Sequence, residues 1–371
     1  MKRAIHAWLA CIAAVLFGPA ASAHSTSTSY LLIDAPRSDA PVSLRWDLAL
    51  HDLVWNVYID KDYDGIVTWQ EVLDARSDSL DPAVLSQVSL QRGDAACKLG
   101  IKDVALVART GQDFLSVEFN VDCPHPGMLI VGGPLFTFGD AAQRVLISVT
   151  RGQETLAGVI GADNPLWHEP LRPSAWGSFA RFLREGVWHV LIGYDHIAFV
   201  LLLLLPSVLR PVNGQWQGAE GLREVTRDIV TIVTAFTVAH STTLALAVTR
   251  TVQLPTQPIE VAIAASIAVA GAINLLPRLS GLRLPLAFGF GFVHGFGFAN
   301  ALSEIDASGT ALLPLLAGFN IGVEVAQLLI VSLVLPLIYL ARRRRWYATG
   351  VMPLGSCALG AAGLVWLFQR L

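Results

Sequence analysis

Residues 186–209 read Gly-Val-Trp-His189-Val-Leu-Ile-Gly193-Tyr-Asp195-His196-Ile-Ala-Phe-Val-Leu-Leu-Leu-Leu-Leu-Pro-Ser-Val-Leu. The stretch exceeds the roughly 20 apolar residues that a helix needs to cross a hydrocarbon core. It nevertheless holds two imidazoles and a carboxylate, groups that such a core penalises. Length therefore predicts a membrane helix, and the polar residues inside it mark where function is to be sought. Five further apolar stretches follow, at 225–249, 258–276, 284–302, 311–340 and 347–369. Together they predict an α-helical bundle of six transmembrane helices over 186–371.

Composition divides the chain in two. Charged residues make up 15% of the whole, against about 25% in soluble domains, which excludes a disordered chain and argues against a single soluble enzyme. Residues 24–170 hold 20 acidic and 10 basic side chains, while residues 171–371 hold 9 and 14. No nucleic-acid partner is expected, and no Walker motif occurs, so this chain does not itself use ATP.

At the N-terminus Lys2 and Arg3 precede an apolar run from Ala7 to Phe17, then Ala21-Ser22-Ala23. That is the layout of a secretory signal peptide, here 1–23. A domain over 24–170 then lies outside the cytoplasm, in the periplasm of a bacterial cell. Val42, Leu44, Trp46, Leu48 and Leu50 alternate with other residues, Phe114 to Phe119 do so more loosely, and Val145 to Val149 follow. Period two predicts half-buried antiparallel strands and a β-rich, sandwich-like fold. Cys97 and Cys123 are the two cysteines of this exported part and are expected to form a disulfide.

Asp60-Lys-Asp62-Tyr-Asp64-Gly65-Ile66-Val-Thr68-Trp-Gln-Glu71 matches an EF-hand-type loop. Carboxylates at loop positions 1, 3 and 5, the Ile66 carbonyl, Thr68 at position 9 and a bidentate Glu71 at position 12 would wrap Ca²⁺ in hard oxygens, and Gly65 allows the sharp turn. A helix is expected from Trp69 to Ala75. Residues 171–185 form a linker with an interfacial helix around Phe179–Glu185.

Arginines orient the bundle. If the first span enters from outside, inward loops carry Arg210, Arg223, Arg227, Arg278, Arg283 and Arg342 to Arg345, while Arg250 and Arg370 lie outward with Glu304 and Asp306. The positive-inside rule then places the C-terminus in the periplasm and the whole in the inner membrane.

Within the spans His189, Asp195, His196, His240, Glu260, His294 and Glu324 are ionisable, and Asn320 is polar. At 1.5 Å per residue, His196, His240, His294 and Asn320 fall roughly 12–15 Å below the outer surface, Glu324 about 20 Å, and His189 and Glu260 about 3–5 Å. On a straight helix His189 and His196 share a face but stand about 10 Å apart, which predicts two successive stations rather than one site. Asn320, Glu324 and Gln327 form one polar stripe; Thr234, Thr237 and Ser241 form another. Imidazole and carboxylate donors suit Ni²⁺, Co²⁺, Zn²⁺ or Cu²⁺ and do not separate the four.

These residues resemble a known family. His189-x5-Asp195-His196, with Phe236-Thr-Val-Ala-His240-Ser241, Val293-His294-Gly295-Phe-Gly297 and Phe319-Asn320-Ile-Gly-Val-Glu324, is similar to the HupE/UreJ family of nickel or cobalt permeases, in a branch with an N-terminal exported domain. The resemblance covers about 176–371 and implies Ni²⁺ transport, with His189, Asp195, His196 and His294 as motif residues. The leading expectation is thus a secondary permease for a divalent metal. Its partners would be the lipid bilayer, the metal ion and an envelope metalloprotein docking on the exported domain. The inventory also resembles zinc-dependent intramembrane hydrolases of the alkaline-ceramidase type, in which Ser241, or Ser266, would act with Asp195 beside a Zn²⁺-activated water. Bis-histidine haem ligation is a third reading.

Overall fold

The structure, a computed structural model, describes residues 28–371 other than 38, 51, 52, 54–56, 65, 66, 110, 111, 136–142, 153, 163, 171–173 and 304–311. The signal segment 1–23, the loop residues Gly65 and Ile66, and Glu304 and Asp306 lie outside the described residues. Contacts divide the chain into a β-rich unit within 26–178 and a helical unit comprising 179–300 and 315–371.

In the β-rich unit the alternating segments become strands β1 (Thr28–Asp34), β2 (Ser43–Ala49), β3 (Ser89–Arg92), β4 (Ala95–Ala96), β5 (Lys98–Arg109), β6 (Gln112–Asp122), β7 (Leu129–Gly132), β8 (Arg144–Arg151), β9 (Glu154–Gly161) and β10 (Leu166–His168). They form a six-stranded sheet in the order β5-β6-β2-β1-β8-β9 and a four-stranded sheet β10-β7-β3-β4. Only β1 and β8 run parallel within the larger sheet. Leu31, Leu44, Trp46, Val117 and Ile147 of one sheet and Leu90, Leu129, Val131 and Trp167 of the other enter a single core. Period two in the sequence thus yields two sheets that share one interior.

Helices α1 (Trp69–Ala75) and α2 (Asp81–Gln87) close this core through Val72, Ala75 and Val84. The Cys97–Cys123 disulfide is present, with the Cα atoms 4.2 Å apart. It follows from register: Lys98 pairs with Asp122, so the flanking cysteines face each other where β5 and β6 begin and end. A buried ion pair, Arg151 Nη2 to Glu169 Oε2 at 2.7 Å, is tied to the Leu129 amide and the Ala35 carbonyl. The carboxylate therefore joins β7 and β8.

The helical unit contains α3 (Ala175–Ile192), α4 (Tyr194–Leu204), a hairpin of β11 (Leu209–Val212) and β12 (Gln215–Gly218), then α5 (Leu222–Val248), α6 (Thr256–Asn274), α7 (Arg283–Ser303), α8 (Leu312–Ala341) and α9 (Met352–Arg370). Among the described residues each of the six apolar stretches between 186 and 371 is helical over most of its length. By length and composition four helices can cross a membrane, namely α5, α6, α8 and Tyr347–Arg370, and the pair α3–α4 makes a fifth if its two arms count as one span. The six-span expectation is reduced accordingly, for two physical reasons. Four glycines with His294 and Asn300 dilute the apolar content of α7. The first span is not straight: α3 and α4 meet at Gly193 with a 73° bend. Nor is Phe179–Glu185 a separate interfacial helix, because it lies inside α3. Leu333, Leu337 and Leu340 on α8 and Leu364, Val365 and Phe368 on α9 are exposed, as lipid-facing residues are.

Close helix approach rests on glycine. A Cβ at Gly186, Gly318 or Gly322 would overlap backbone atoms across the α3–α8 contact, and one at Gly291 or Gly295 would overlap α5. Small residues at these positions let two backbones touch where no side chain could fit. At one end of the unit Arg210 pairs with Glu224 (3.1 Å) and Asp228 (2.6 Å), Arg283 donates to the Leu203 carbonyl, and Arg342 donates to the Ala219 carbonyl over the Tyr339 ring.

Candidate metal site

Gly193 builds the first half of the site. It ends α3 by donating to the His189 carbonyl (3.0 Å), and its own carbonyl accepts from Ile197, the first bond of α4. With φ −74° and ψ 97° it leaves the helical region for one residue. The consequence overturns the straight-helix expectation that His189 and His196 stand about 10 Å apart. Their ring centroids lie 4.7 Å apart, edge to face.

Asp195 sits in the first turn of α4, where the helix dipole favours a carboxylate. Its Oδ1 accepts from the His196 backbone N–H (2.8 Å) and lies 3.0 Å from His196 Nδ1. His196 is buried and its Nε2 has no hydrogen-bond partner. A carboxylate only accepts, so the ring proton sits on Nδ1 and a lone pair remains on Nε2.

His240 on α5 repeats this logic. The Asn320 side chain donates through Nδ2 to the Leu316 carbonyl (2.9 Å), which fixes its Oδ1 as the acceptor 3.3 Å from His240 Nδ1. His240 is fully buried, and its Nε2 is unpartnered. His294 on α7 does the same with the ring reversed. Ser266 on α6 gives its hydroxyl proton to the Ile263 carbonyl (2.6 Å) and so accepts from His294 Nε2 at 3.3 Å, leaving the buried Nδ1 bare.

Three imidazoles from three helices thus each hold their N–H against an acceptor and turn an unshared pair into the apolar interior. That is the arrangement in which second-shell partners orient metal-ligating histidines. The rings neighbour one another: His196 and His294 are 5.2 Å apart, and Phe236 contacts both His240 (6.0 Å) and His294 (5.4 Å). Phe199 and Phe319 complete an aromatic frame against His294 and against His189 and His240. Among the described residues, however, the only trio of His, Cys, Asp or Glu atoms within 4.8 Å of one another is Asp60, Asp62 and Glu71. The imidazoles neighbour one another but do not close on one point.

The remaining sequence candidates divide. Glu324 lies half-buried on α8 between Asn320 and Gln327, and Gln327 meets Thr237 Oγ1 at 3.3 Å, so two of the polar stripes touch. Thr234 faces outward instead. Glu260 is half-buried on α6 with Asp195 and Arg370 as charged neighbours. Ser241 lies half-buried beside His240, but the serine that touches an imidazole is Ser266. Arg370, which the sequence supplied only as an orientation marker, reaches Asp195 Oδ2 at 3.8 Å. An arginine ending an apolar helix was the signal available for it.

In the β-rich unit Thr68 caps α1, and Glu71 completes the capping box. Glu71 accepts from the Lys61 and Thr68 amides at 3.0 and 2.9 Å and from the Thr68 hydroxyl at 2.8 Å. The Thr68 bonds hold its carboxyl below the usual range. The two ends of the loop are thereby clasped, with Asp60, Asp62 and Glu71 converging.

A bundle of apolar helices, one of them broken beside a buried set of oriented imidazoles, is the build of a multi-pass membrane protein. The HupE/UreJ protein family model matches residues 168–370, more than half of the chain, and the protein belongs to that family. Comparison with curated proteins gives no match.

Proposed function

We propose that this protein is a secondary permease for a divalent transition-metal ion, with Ni²⁺ or Co²⁺ the favoured cargo and Zn²⁺ or Cu²⁺ the other ions that such donors accept. The observation that carries the reading is the set of three buried lone pairs, on His196, His240 and His294, each oriented by its own acceptor. Unpaired polar atoms in an apolar interior are costly, and an ion passing along them offsets that cost. Family membership supports the same reading. The ion would be collected near His189 and Glu260 and passed along the imidazoles, with Asp195 and Glu324 balancing its charge. A hydrolytic zinc site needs three ligands closed on one ion, and the spread of the imidazoles favours transfer instead. A broken helix at the binding site is the device many transporters use. The arginine-rich end of the bundle faces the cytoplasm in this reading and the β-rich domain faces the periplasm.

The test is uptake by proteoliposomes together with bound-metal analysis. The parent should move Ni²⁺ or Co²⁺ and hold it exchangeably, and His196→Ala and His294→Ala should each weaken binding about tenfold or more. Absence of flux for all four ions, or unchanged binding in both variants, would overturn the proposal.

The 60–71 loop is proposed to bind Ca²⁺ and to stabilise the exported domain. Saturation at about 100 times Kd is worth about 2.7 kcal/mol, or a rise of about 10 °C in melting temperature. A melt of that domain insensitive to EGTA would refute it.

A further inference from the structure

Arg370 belongs to the site by geometry. Its side chain is 9% exposed, its Nη2 lies 3.8 Å from Asp195 Oδ2, and its Nη1 donates to the Glu260 carbonyl at 3.1 Å. Its Nε is buried without a partner. Asp195 thus divides its oxygens: Oδ1 serves His196, and Oδ2 faces a guanidinium from the last turn of α9. The contact is long and single, unlike the 2.6 Å pair of Arg210 with Asp228 at the other end of the unit. Arg370 is close enough to neutralise Asp195 and too loosely held to be locked there.

A divalent ion arriving at His196 must share the Asp195 charge with that guanidinium. Two cations cannot both keep one carboxylate in a low-dielectric interior, because their repulsion grows as water is removed. We propose that Arg370 is a tethered cation that competes with the cargo ion for Asp195. It yields the carboxylate when the ion reaches the Asp195–His196 pair and takes it back as the ion moves on. Arg370 is then a positioning residue that keeps affinity low enough for release. The inference rests on the metal-permease reading above.

The experiment uses the full chain, with Ni²⁺ as the probe. R370Q should bind Ni²⁺ about ten- to hundredfold more tightly than the parent while its maximal flux falls, and R370K should restore both towards parent values. A merely structural arginine would weaken binding on removal, so tighter binding is the distinguishing sign. Should R370Q not fold, the parent alone decides: saturating Ni²⁺ should raise phenylglyoxal modification of Arg370 severalfold, read by peptide mass. Unchanged or weaker Ni²⁺ affinity in R370Q, or unchanged modification in the parent, overturns the tethered-cation proposal. If that happens while His196→Ala or His294→Ala still weakens Ni²⁺ binding, the permease reading stands; if both of these variants bind as the parent does, both fall.

Discussion

Replacing Gly295 by alanine is expected to lower metal flux by about tenfold to a hundredfold, although the change adds one methyl group and touches no donor atom. The cause is the line of contact between α5 and α7. A Cβ at Gly295 would overlap the His240 carbonyl and the Thr243 hydroxyl, and one at Gly291 would overlap the Phe236 carbonyl. Most of these are backbone atoms, which cannot turn aside as a flexible side-chain end can. The helices must separate, and overpacking of this kind costs about 1–3 kcal/mol. The separation also acts where the chemistry is, because His294 precedes Gly295 and His240 supplies the obstructing carbonyl. Ring contacts of 5.2 Å between His196 and His294 and 5.4 Å between Phe236 and His294 would lengthen. Gly289→Ala is the control, since a Cβ there meets nothing within 4 Å. Uptake assays and the visible spectrum of bound Co²⁺ check the pair; parent-like flux and spectrum in Gly295→Ala would refute the account.

The same contact shows what a single sequence exposes. Gly291, Gly295 and Ala299 are spaced as a small-residue ridge, so close approach beside His294 was readable, and the depth of His196, His240 and His294 placed them together. The acceptors were only partly readable. Asp195 and Asn320 stand in the polar pattern and Ser266 is one of two serine candidates, but its pairing with His294 arises only in the third dimension, as it gives its proton to its own helix and its lone pair to α7. Arg370 lies at the far end of the sequence from Asp195, and no periodicity connects them. In the β-rich unit alternation predicted strands over 42–50, where β2 lies, and within β6 and β8, whereas their order, with β1 parallel to β8, depends on long-range pairing. Pro211-Val-Asn213-Gly214 carried a hairpin signal that the apolar background obscured. Asn213 and Gly214 both take positive φ, 51° and 76°, as a two-residue primed turn requires.

The bend at Gly193 was not readable, because a single glycine is tolerated inside a straight helix and differs from a hinge only by what surrounds it. What surrounds it here makes Gly193→Ala the substitution expected to cost most, with flux falling about a hundredfold. The backbone angles of φ −74° and ψ 97° are open to alanine, so strain is not the reason. Space is one: the new Cβ would stand 2.8 Å from the His189 carbonyl oxygen and from His196 Nδ1, and 3.1 Å from Asp195 Oδ1. It would wedge into the Asp195–His196 pair and loosen the bond that fixes the imidazole proton on Nδ1. Helix propensity is the other, since alanine favours continuous helix over glycine by about 1 kcal/mol. A straightened helix would return His189 and His196 to about 10 Å apart, breaking the 4.7 Å step between the first two imidazoles. Binding and transport then separate. His294 and His240 remain in place, so Gly193→Ala should still hold Co²⁺ weakly while failing to pass it on. Flux equal to the parent at every metal concentration would show that neither the bend nor the Asp195–His196 pair governs entry.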